Sequence, residues 1–398
     1  MFFKKKKKEL PTRPLGIYVH IPFCVKKCGY CDFLSAPGTP EEEERYITAL
    51  CKEIRDMGQY TSDYLVKTIY FGGGTPSVLE TPLTEKVMET IRQTFTLDEN
   101  AEITIEVNPG TITREKLYKY KEFGFNRLSM GIQSADDAEL KKIGRIHTFK
   151  ETVDGFNIAR EVGFNNISVD VISALPGQTE SSYANTLNEI VKLGPDHISS
   201  YSLILEEGTP FYEKYAENGP FKDEIPGEET DRKMYAYTKE FLKSKGYERY
   251  EISNYAKPGF ESRHNSSYWT GTEYLGFGLG ASSLFTNARY HNVENMEEYI
   301  TKALAGEDTR ADIERLVEAE QMEEYMILGL RMMKGISKEA FKARFGKPIE
   351  VVYGDKLAKL KRDGLITNEG DTVALTDLGI DVSNRVFVEF VPDEFVRR

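Results

Sequence analysis

Three cysteines crowd into one short stretch: Cys24, Cys28 and Cys31, spaced C-x3-C-x2-C. Three thiols this close cannot all pair with one another as disulfides. Three soft donors suit a soft metal centre. A four-cysteine zinc site needs a fourth ligand, and no cysteine or histidine follows at finger-like spacing. An iron–sulfur cube held by three thiolates fits better, and it leaves one iron open to a small molecule. The remaining cysteine, Cys51, shares an apolar helical stripe with Tyr46, Ile47, Leu50 and Ile54. It is expected to fill core and not to bind metal.

The elements that must position such a centre alternate along the chain. Residues 16–22 read as a short strand, Ile17, Val19 and Ile21 alternating with Tyr18 and His20, and the cysteines follow its end. Thr39-Pro40-Glu41-Glu42 opens a helix: threonine is a good N-cap, proline suits the first helical position, and Glu42 completes a capping box. Further strands are expected at 66–71, running into Gly72-Gly73-Gly74-Thr75, and at 103–107, containing Glu106. A period then appears. Gly124, Gly163 and Gly194 can each close a helix, and apolar strands start near Leu128, Ile167 and Ile198. The matching helices fall at 113–123, 150–162 and 180–193. Strands alternating with helices mean parallel β/α units, and right-handed crossovers curl six of them into a barrel or partial barrel. The cysteines follow strand one, the glycines end strand two and Glu106 ends strand three. Gln133 ends strand four and Asp170 lies in strand five. That rim is where β/α barrels place their sites.

Beyond residue 205 the alternation fades. Residues 206–227 read as a polar loop and 228–245 as a helix. His264-Asn265-Ser266-Ser267-Tyr268-Trp269 follows, with the chain's single tryptophan. Residues 274–280 are apolar and glycine-rich, which predicts close backbone packing. Residues 313–333, 337–344 and 349–362 read as helices. A hairpin turning at residues 368–371 comes next, and Thr376 caps a last helix. Helices followed by a hairpin resemble a winged-helix module. With a net charge of −12 over 398 residues there is no basic face for nucleic acid, so the module is expected to be structural or partner-binding. A content of 40% apolar and 29% charged residues describes a soluble globular protein, and no apolar run reaches the roughly 18 residues of a membrane span. Few cysteines, three of them grouped as ligands, indicate a reducing cytoplasm. The lysines at 4–8 follow only two phenylalanines, not a signal-peptide core, and read as a solvated tail or, more sharply, an attraction to anionic lipid. The expected organisation is a basic tail over 1–14, a partial (β/α)6 barrel over 15–230, a connecting region over 231–308 and a C-terminal winged-helix-like α+β domain over 309–398. The fold class is α/β.

The cysteine loop after a first strand, with aromatic Tyr30 before the last cysteine, is joined in order by Gly72–Thr75, Glu106, Gln133, Arg145 and Asp170. Together they resemble the radical S-adenosylmethionine (SAM) superfamily, within it the oxygen-independent coproporphyrinogen III oxidase group, and most closely its HemW-type heme chaperone branch. The resemblance covers nearly the whole chain. It implies a [4Fe-4S] cluster on Cys24, Cys28 and Cys31 whose open iron is chelated by SAM and passes one electron to the sulfonium. Cleavage then yields methionine and a 5′-deoxyadenosyl radical. It also implies SAM contacts from Tyr18, from Tyr30 over the adenine, from Gly73 and Gly74 near the ammonium, and from Thr75, Glu106, Gln133 and Asp170, with Arg145 at the carboxylate. Taken singly, each has another reading: a glycine triplet as a tight turn, a carboxylate as a helix cap, an arginine as surface. His20 and His147 stand between rim and structural roles, and His197 reads as structural.

Three features separate the branches. The oxidase pattern extends to C-x3-C-x2-C-x-C, whereas Phe33 stands at that position here. The oxidase carries a longer arm before its cysteines, whereas 23 residues precede Cys24. The run from His264 to Trp269 matches the chaperone's H-N-x-x-Y-W motif. There His264 would supply an axial imidazole, and Tyr268 and Trp269 a flat apolar surface for porphyrin. The alternative is that these residues pack a domain junction. The expected function is a chaperone that binds heme as cargo and delivers it to hemoproteins such as respiratory enzymes. The alternatives are oxidative decarboxylation of coproporphyrinogen III, or radical SAM chemistry on another substrate. Whether SAM is cleaved or only bound stays open. A cytoplasmic location follows, with room for transient contact at the membrane face and for a homodimer, and no nucleic-acid partner.

Overall fold

In the computed structural model, which describes residues 11–391, six parallel strands form the centre of the molecule. They are β1 (Arg13–Ile21), β2 (Tyr64–Gly73), β3 (Leu97–Val107), β4 (Arg127–Gln133), β5 (Ile167–Ser173) and β6 (His197–Ser202). They pair in chain order, with Tyr18 opposite Tyr70, Thr104 opposite Arg127 and Gly131 opposite Asp170. Between them run α1 (Pro40–Met57), α2 (Thr81–Thr94), α3 (Arg114–Glu122), α4 (Asp137–Lys142), α5 (Phe149–Val162) and α6 (Glu180–Leu193). Thr39 caps α1 in the capping box that the sequence predicts. The strands form a partial barrel because their period-two pattern has two different faces. Ile17, Val19, Ile69 and Ile105 point outward into the main core under the helices, where Cys51 is fully buried. Tyr18, Tyr70 and Glu106 occupy the alternate, inner face. The lysines at 4–8 lie outside the described residues.

The sheet does not stop at six strands. After α7 (Pro210–Tyr215), α8 (Glu228–Ser244) and β7 (Glu248–Arg249), β8 (Asn254–Ala256) adds antiparallel to β6, and β7 pairs antiparallel with β8 at the edge. After α9 (Arg263–Trp269), β9 (Tyr274–Phe277) pairs parallel to β1. Then β10 (Ser282–Phe285), β11 (Ala288–Asn292) and, after α10 (Met296–Ala305), β12 (Arg310–Arg315) continue antiparallel. Strands β7 to β11 within residues 231–308, together with β12, thus extend both edges of the barrel sheet into twelve strands. In the glycine-rich run, a Cβ on Gly276 would collide with the Ser282 backbone, so only glycine lets β9 and β10 approach there.

Two stretches differ from expectation: the polar loop expected over 206–227 contains the helix α7, capped by Thr209 with Phe211 and Tyr215 buried, and the long helix beyond residue 313 is interrupted. The helix predicted over 313–333 is a strand, β12, followed by a shorter helix, α11 (Glu318–Gly329). The edge of β11 offers unpaired backbone groups that Arg310–Arg315 satisfies, and this overrides the local pattern. The C-terminal unit then comprises β13 (Ile336–Ser337), α12 (Lys338–Phe345), α13 (Ile349–Arg362), β14 (Ile366–Glu369), β15 (Thr372–Leu375), α14 (Asp377–Asp381) and α15 (Ser383–Val388). It has its own core around Met326, Phe341, Leu357 and Val373. Lys239 Nζ and Arg249 Nη2 reach Asp377 at 2.7 and 3.3 Å and tie this unit to the barrel. Among the described residues no helix is long and apolar enough to cross a membrane.

Candidate functional site

A cavity of about 470 Å³ opens at the C-terminal ends of the barrel strands, a size that suits a small-molecule ligand. Its wall is the inner face of the strands. Tyr70 comes from β2, Glu106 from β3, Arg127, Ser129, Gly131 and Gln133 from β4, Asp170 from β5, and Ser199 and Tyr201 from β6. The cysteine loop forms its mouth. Cys24, Cys28 and Cys31 all line it and all are free thiols. Burial raises the Cys24 and Cys31 thiols above their ordinary value. The loop is held by backbone, with Cys24 N donating to Ala36 O at 3.1 Å and Cys31 N to Cys28 O at 3.2 Å. The sulfurs themselves are left to face the cavity.

The glycine turn after β2 is drawn against the start of that loop. Gly74 N donates to Ile21 O at 2.8 Å and Thr75 N to Phe23 O at 2.7 Å. A Cβ on Gly74 would lie 2.5 Å from Phe23 O, and one on Gly73, at φ +110°, would lie 2.6 Å from the His20 ring. Side chains are therefore excluded, and backbone is left bare on the cavity wall. Across from it, Arg145 donates from Nη2 to Gly131 O at 2.5 Å, and its Nη1 lies 4.0 Å from Cys28 Sγ. Its buried Nε has no partner. A guanidinium so placed is ready for a carboxylate at the mouth. Gln133 adopts φ +70° where the β4–β5 register shifts, a costly backbone state of the kind that gathers at sites. Burial pushes the Glu106 carboxyl up to about 7, against the hydrogen bond it accepts from Tyr70 OH at 2.7 Å. Burial also raises Asp170, which accepts from Ser129 Oγ at 3.4 Å. Three thiols in no disulfide, bare backbone, a guanidinium with a spare Nε–H and two inward carboxyls fit a cluster with a zwitterionic sulfonium ligand.

The cavity brings together Cys24, Cys28, Tyr30, Cys31, Gly73, Gly74, Thr75, Glu106, Gln133, Arg145 and Asp170. Tyr18 is not on its lining. Its ring stacks on Tyr70 at 6.3 Å and its hydroxyl meets His20 Nδ1 at 3.1 Å. His20 in turn reaches Leu34 O at 3.0 Å. His147 is buried with Nε2 3.3 Å from Ile132 O, and burial lowers it to about 4. His197 is engaged by Ser168 and Tyr250, both at 2.8 Å.

The expected heme contacts lie elsewhere. His264, Tyr268 and Trp269 do not line the cavity, because α9 plugs the lower end of the barrel. His264 is 1% exposed. Its Nδ1 meets Thr68 Oγ1 at 2.9 Å and its Nε2 meets Tyr268 OH at 2.7 Å. Its ring stacks on Tyr70 at 5.1 Å. Both ring nitrogens are engaged in this structure, so His264 could reach an iron only if α9 released one of these bonds. Trp269 lies under the Arg331 guanidinium at 4.4 Å, against the C-terminal unit. Sequence reasoning also missed Arg127, Ser129, Ser199, Tyr201 and Asn265 of the lining. The signal was present as period-two continuations, Arg127-x-Ser129-x-Gly131-x-Gln133 and Ser199-x-Tyr201, below residues already chosen.

Comparisons with known proteins agree with this geometry. A model of the radical SAM superfamily matches residues 18–190, and one of the HemN C-terminal domain matches residues 316–382. The chain is 36% identical to a heme chaperone HemW of Lactococcus lactis, over 96% of this chain and 98% of that one. It is 37% identical to a heme chaperone HemW of Bacillus subtilis, over 94% and 98% respectively. Among solved structures, coproporphyrinogen III oxidase (HemN) from Escherichia coli superposes with a TM-score of 0.85 at 24% identity, over 96% of this chain and 90% of that one. That likeness is one of fold.

Proposed function

The chain belongs to the heme chaperone HemW family within the radical SAM superfamily, and from that membership we propose that it binds heme as cargo and delivers it to hemoproteins. The observation that carries the reading is the joint presence of family membership and an open three-thiol mouth on a cavity built for a small zwitterion. Cys24, Cys28 and Cys31 would hold a [4Fe-4S] cluster. Bound there, the cluster supplies one electron at low potential to a sulfonium ligand on its open iron. The chain's own residues bind and orient. Arg145 meets the SAM carboxylate and the bare Gly73–Thr75 turn lies along the methionine backbone. Tyr30 covers the adenine, while Glu106, Gln133 and Asp170 accept from ribose or ammonium. Tyr18 acts from behind by packing Tyr70, which holds Glu106. Phe33, 59% exposed, leaves the loop without the additional cysteine of the oxidase pattern. The same reading places the chain in the cytoplasm, with recipients such as respiratory enzymes met by transient contact at the membrane face.

An anaerobic transfer assay tests this. Heme-loaded protein, with cluster, SAM and reductant, should pass heme to an apo-hemoprotein, and omitting SAM or reductant should alter the rate. No transfer above that of free hemin overturns the reading. The alternative that the sequence leaves open is oxidative decarboxylation of coproporphyrinogen III. Accumulation of protoporphyrinogen from coproporphyrinogen III would establish it in place of the first.

A further inference from the structure

Arg127, the first residue of β4, heads the largest fully buried side chains of the molecule at 1% exposed. It lines the floor of the cavity with Ser129, Ser199 and Asn265, the last contributed by α9. Among the described residues, its Nε and Nη1 have no hydrogen-bond partner. Glu106 and Asp170 line the same cavity, but among the described residues neither forms an ion pair with it. Thr104, its register partner on β3, also has a buried hydroxyl without a partner. A guanidinium keeps its charge in a protein interior, and burying that charge unpaired is expensive. Both carboxyls feel its charge through space, although burial has the larger effect on them and neither touches it. The guanidinium therefore has no carboxylate in contact, and its free N–H groups face the space a ligand would fill. It is also distinct from Arg145. That residue is held by Gly131, four positions further along β4, or about 13 Å higher at the rise of a strand.

We propose that Arg127, with Asn265 and the hydroxyls of Ser129 and Ser199, is a carboxylate subsite on the barrel floor, beneath the place assigned to SAM. The guanidinium fork matches a carboxylate with two parallel hydrogen bonds. Resting on the heme reading above, the carboxylate is a propionate arm of the tetrapyrrole. The cargo is thus gripped by its acid side chain inside the barrel, not by His264. A free small carboxylate has the same chemistry and is the other source the test separates.

The test uses the full chain, anaerobically reconstituted, with hemin, hemin dimethyl ester and sodium propionate as probes. Wild type should bind hemin roughly ten- to a hundredfold tighter than its diester, the range for hydrogen bonds to a charged group. Arg127→Gln should bring hemin affinity down to that of the diester and leave the diester unchanged. Arg127→Lys should restore part of the difference. Iron content and melting temperature check the fold of each variant. Should Arg127→Gln not fold, Asn265→Ala gives the same selective loss for hemin in smaller measure. Undiminished preference for hemin in the folded variants overturns the subsite. If wild type binds hemin and diester alike and propionate does not raise its melting temperature, the subsite falls and the heme reading stands. If wild type takes no hemin, but propionate stabilises it and not Arg127→Gln, the subsite stands with a free carboxylate and the heme reading falls.

Discussion

At the cysteine end of the barrel, reactive groups face an open cavity: three thiols in no disulfide, Arg145 with its Nε unpartnered among the described residues, and glycine backbone bare of side chains. At the α9 end, groups of equal chemical promise are closed on one another. His264 is held between Thr68 and Tyr268, while its backbone N–H donates to Glu102 Oε1 at 2.9 Å. One end is built to receive and the other to hold. The difference shows that residue type alone does not make a ligand. A histidine whose two nitrogens are spent on buried neighbours is part of the wall, whereas a thiol in no disulfide on the lining of an open cavity is available. Tyr70 joins the two ends, stacked on His264 and donating to Glu106, so the plug props up the floor of the site.

The largest expected effect breaks the open end alone. Replacing Cys31 by alanine should abolish the cluster, read as iron and sulfide per chain. Compared in the cluster-free state, unfolding free energy should change by less than about 1 kcal/mol, because the side chain is only half-buried. Cys51→Ala should do the reverse. Its iron content should stay that of wild type, while the fully buried side chain leaves a small void costing roughly 1–2 kcal/mol. Iron lost from Cys51→Ala would mean that the core thiol belongs to the centre.

The open end was the more legible from sequence. Ile17-x-Val19-x-Ile21 alternates cleanly, so β1 and the loop behind it could be placed, and helices such as Glu180–Leu193 and Ile349–Arg362 announce themselves by period and cap. The closed end was not, for two physical reasons. The strands β7 to β12 run from two to six residues, too short for a period, and are fixed by which edge lies beside them. The motif from His264 to Trp269 names side chains that suit heme, but burial and hydrogen-bond partners 160 or more residues away decide their use. Arg127 was missed for a related reason: a single basic residue at the start of a strand usually faces solvent, and only the closed barrel turns it inward.

His264→Ala breaks the other end. It strands two buried partners and removes a packed ring, so it should cost about 3–5 kcal/mol in denaturant unfolding. The folded fraction should bind hemin with the Soret band and affinity of wild type. A lost or shifted Soret band in protein that remains folded would show that α9 opens and that the closed network is not the heme-bound state.

Acidity separates the ends by sign. Burial takes His264 down to about 3 from an ordinary 6.5, so the native state resists a proton that the unfolded chain accepts. That stability is fully present above 6.5 and is lost as pH falls through the window from 6.5 to 3. Burial takes Glu106 up to about 7 from an ordinary 4.5, so the native state holds a proton that the unfolded chain gives up. Its contribution is fully present below 4.5 and is lost as pH rises from 4.5 to 7, on the order of 3 kcal/mol. Glu106→Gln should flatten the stability profile on that alkaline limb and leave the acid limb in place. An unchanged limb between 4.5 and 7 would assign the slope to another buried acid.

The smallest effect belongs where polar groups are satisfied but wet. Asp377 is 74% exposed, yet it receives Lys239 at 2.7 Å and Arg249 at 3.3 Å across the contact between barrel and C-terminal unit. If burial, and not the number of contacts, decides what a polar network contributes, Asp377→Ala should cost less than about 1 kcal/mol, despite removing two ion pairs. The loss should shrink further at high salt, where exposed pairs are screened. His264→Ala, with a similar number of bonds removed, should keep its cost at any ionic strength. A salt-independent loss at Asp377 of the same size as that at His264 would mean that the two units dock through a dry interface, and the contrast between open and closed ends would no longer rest on burial.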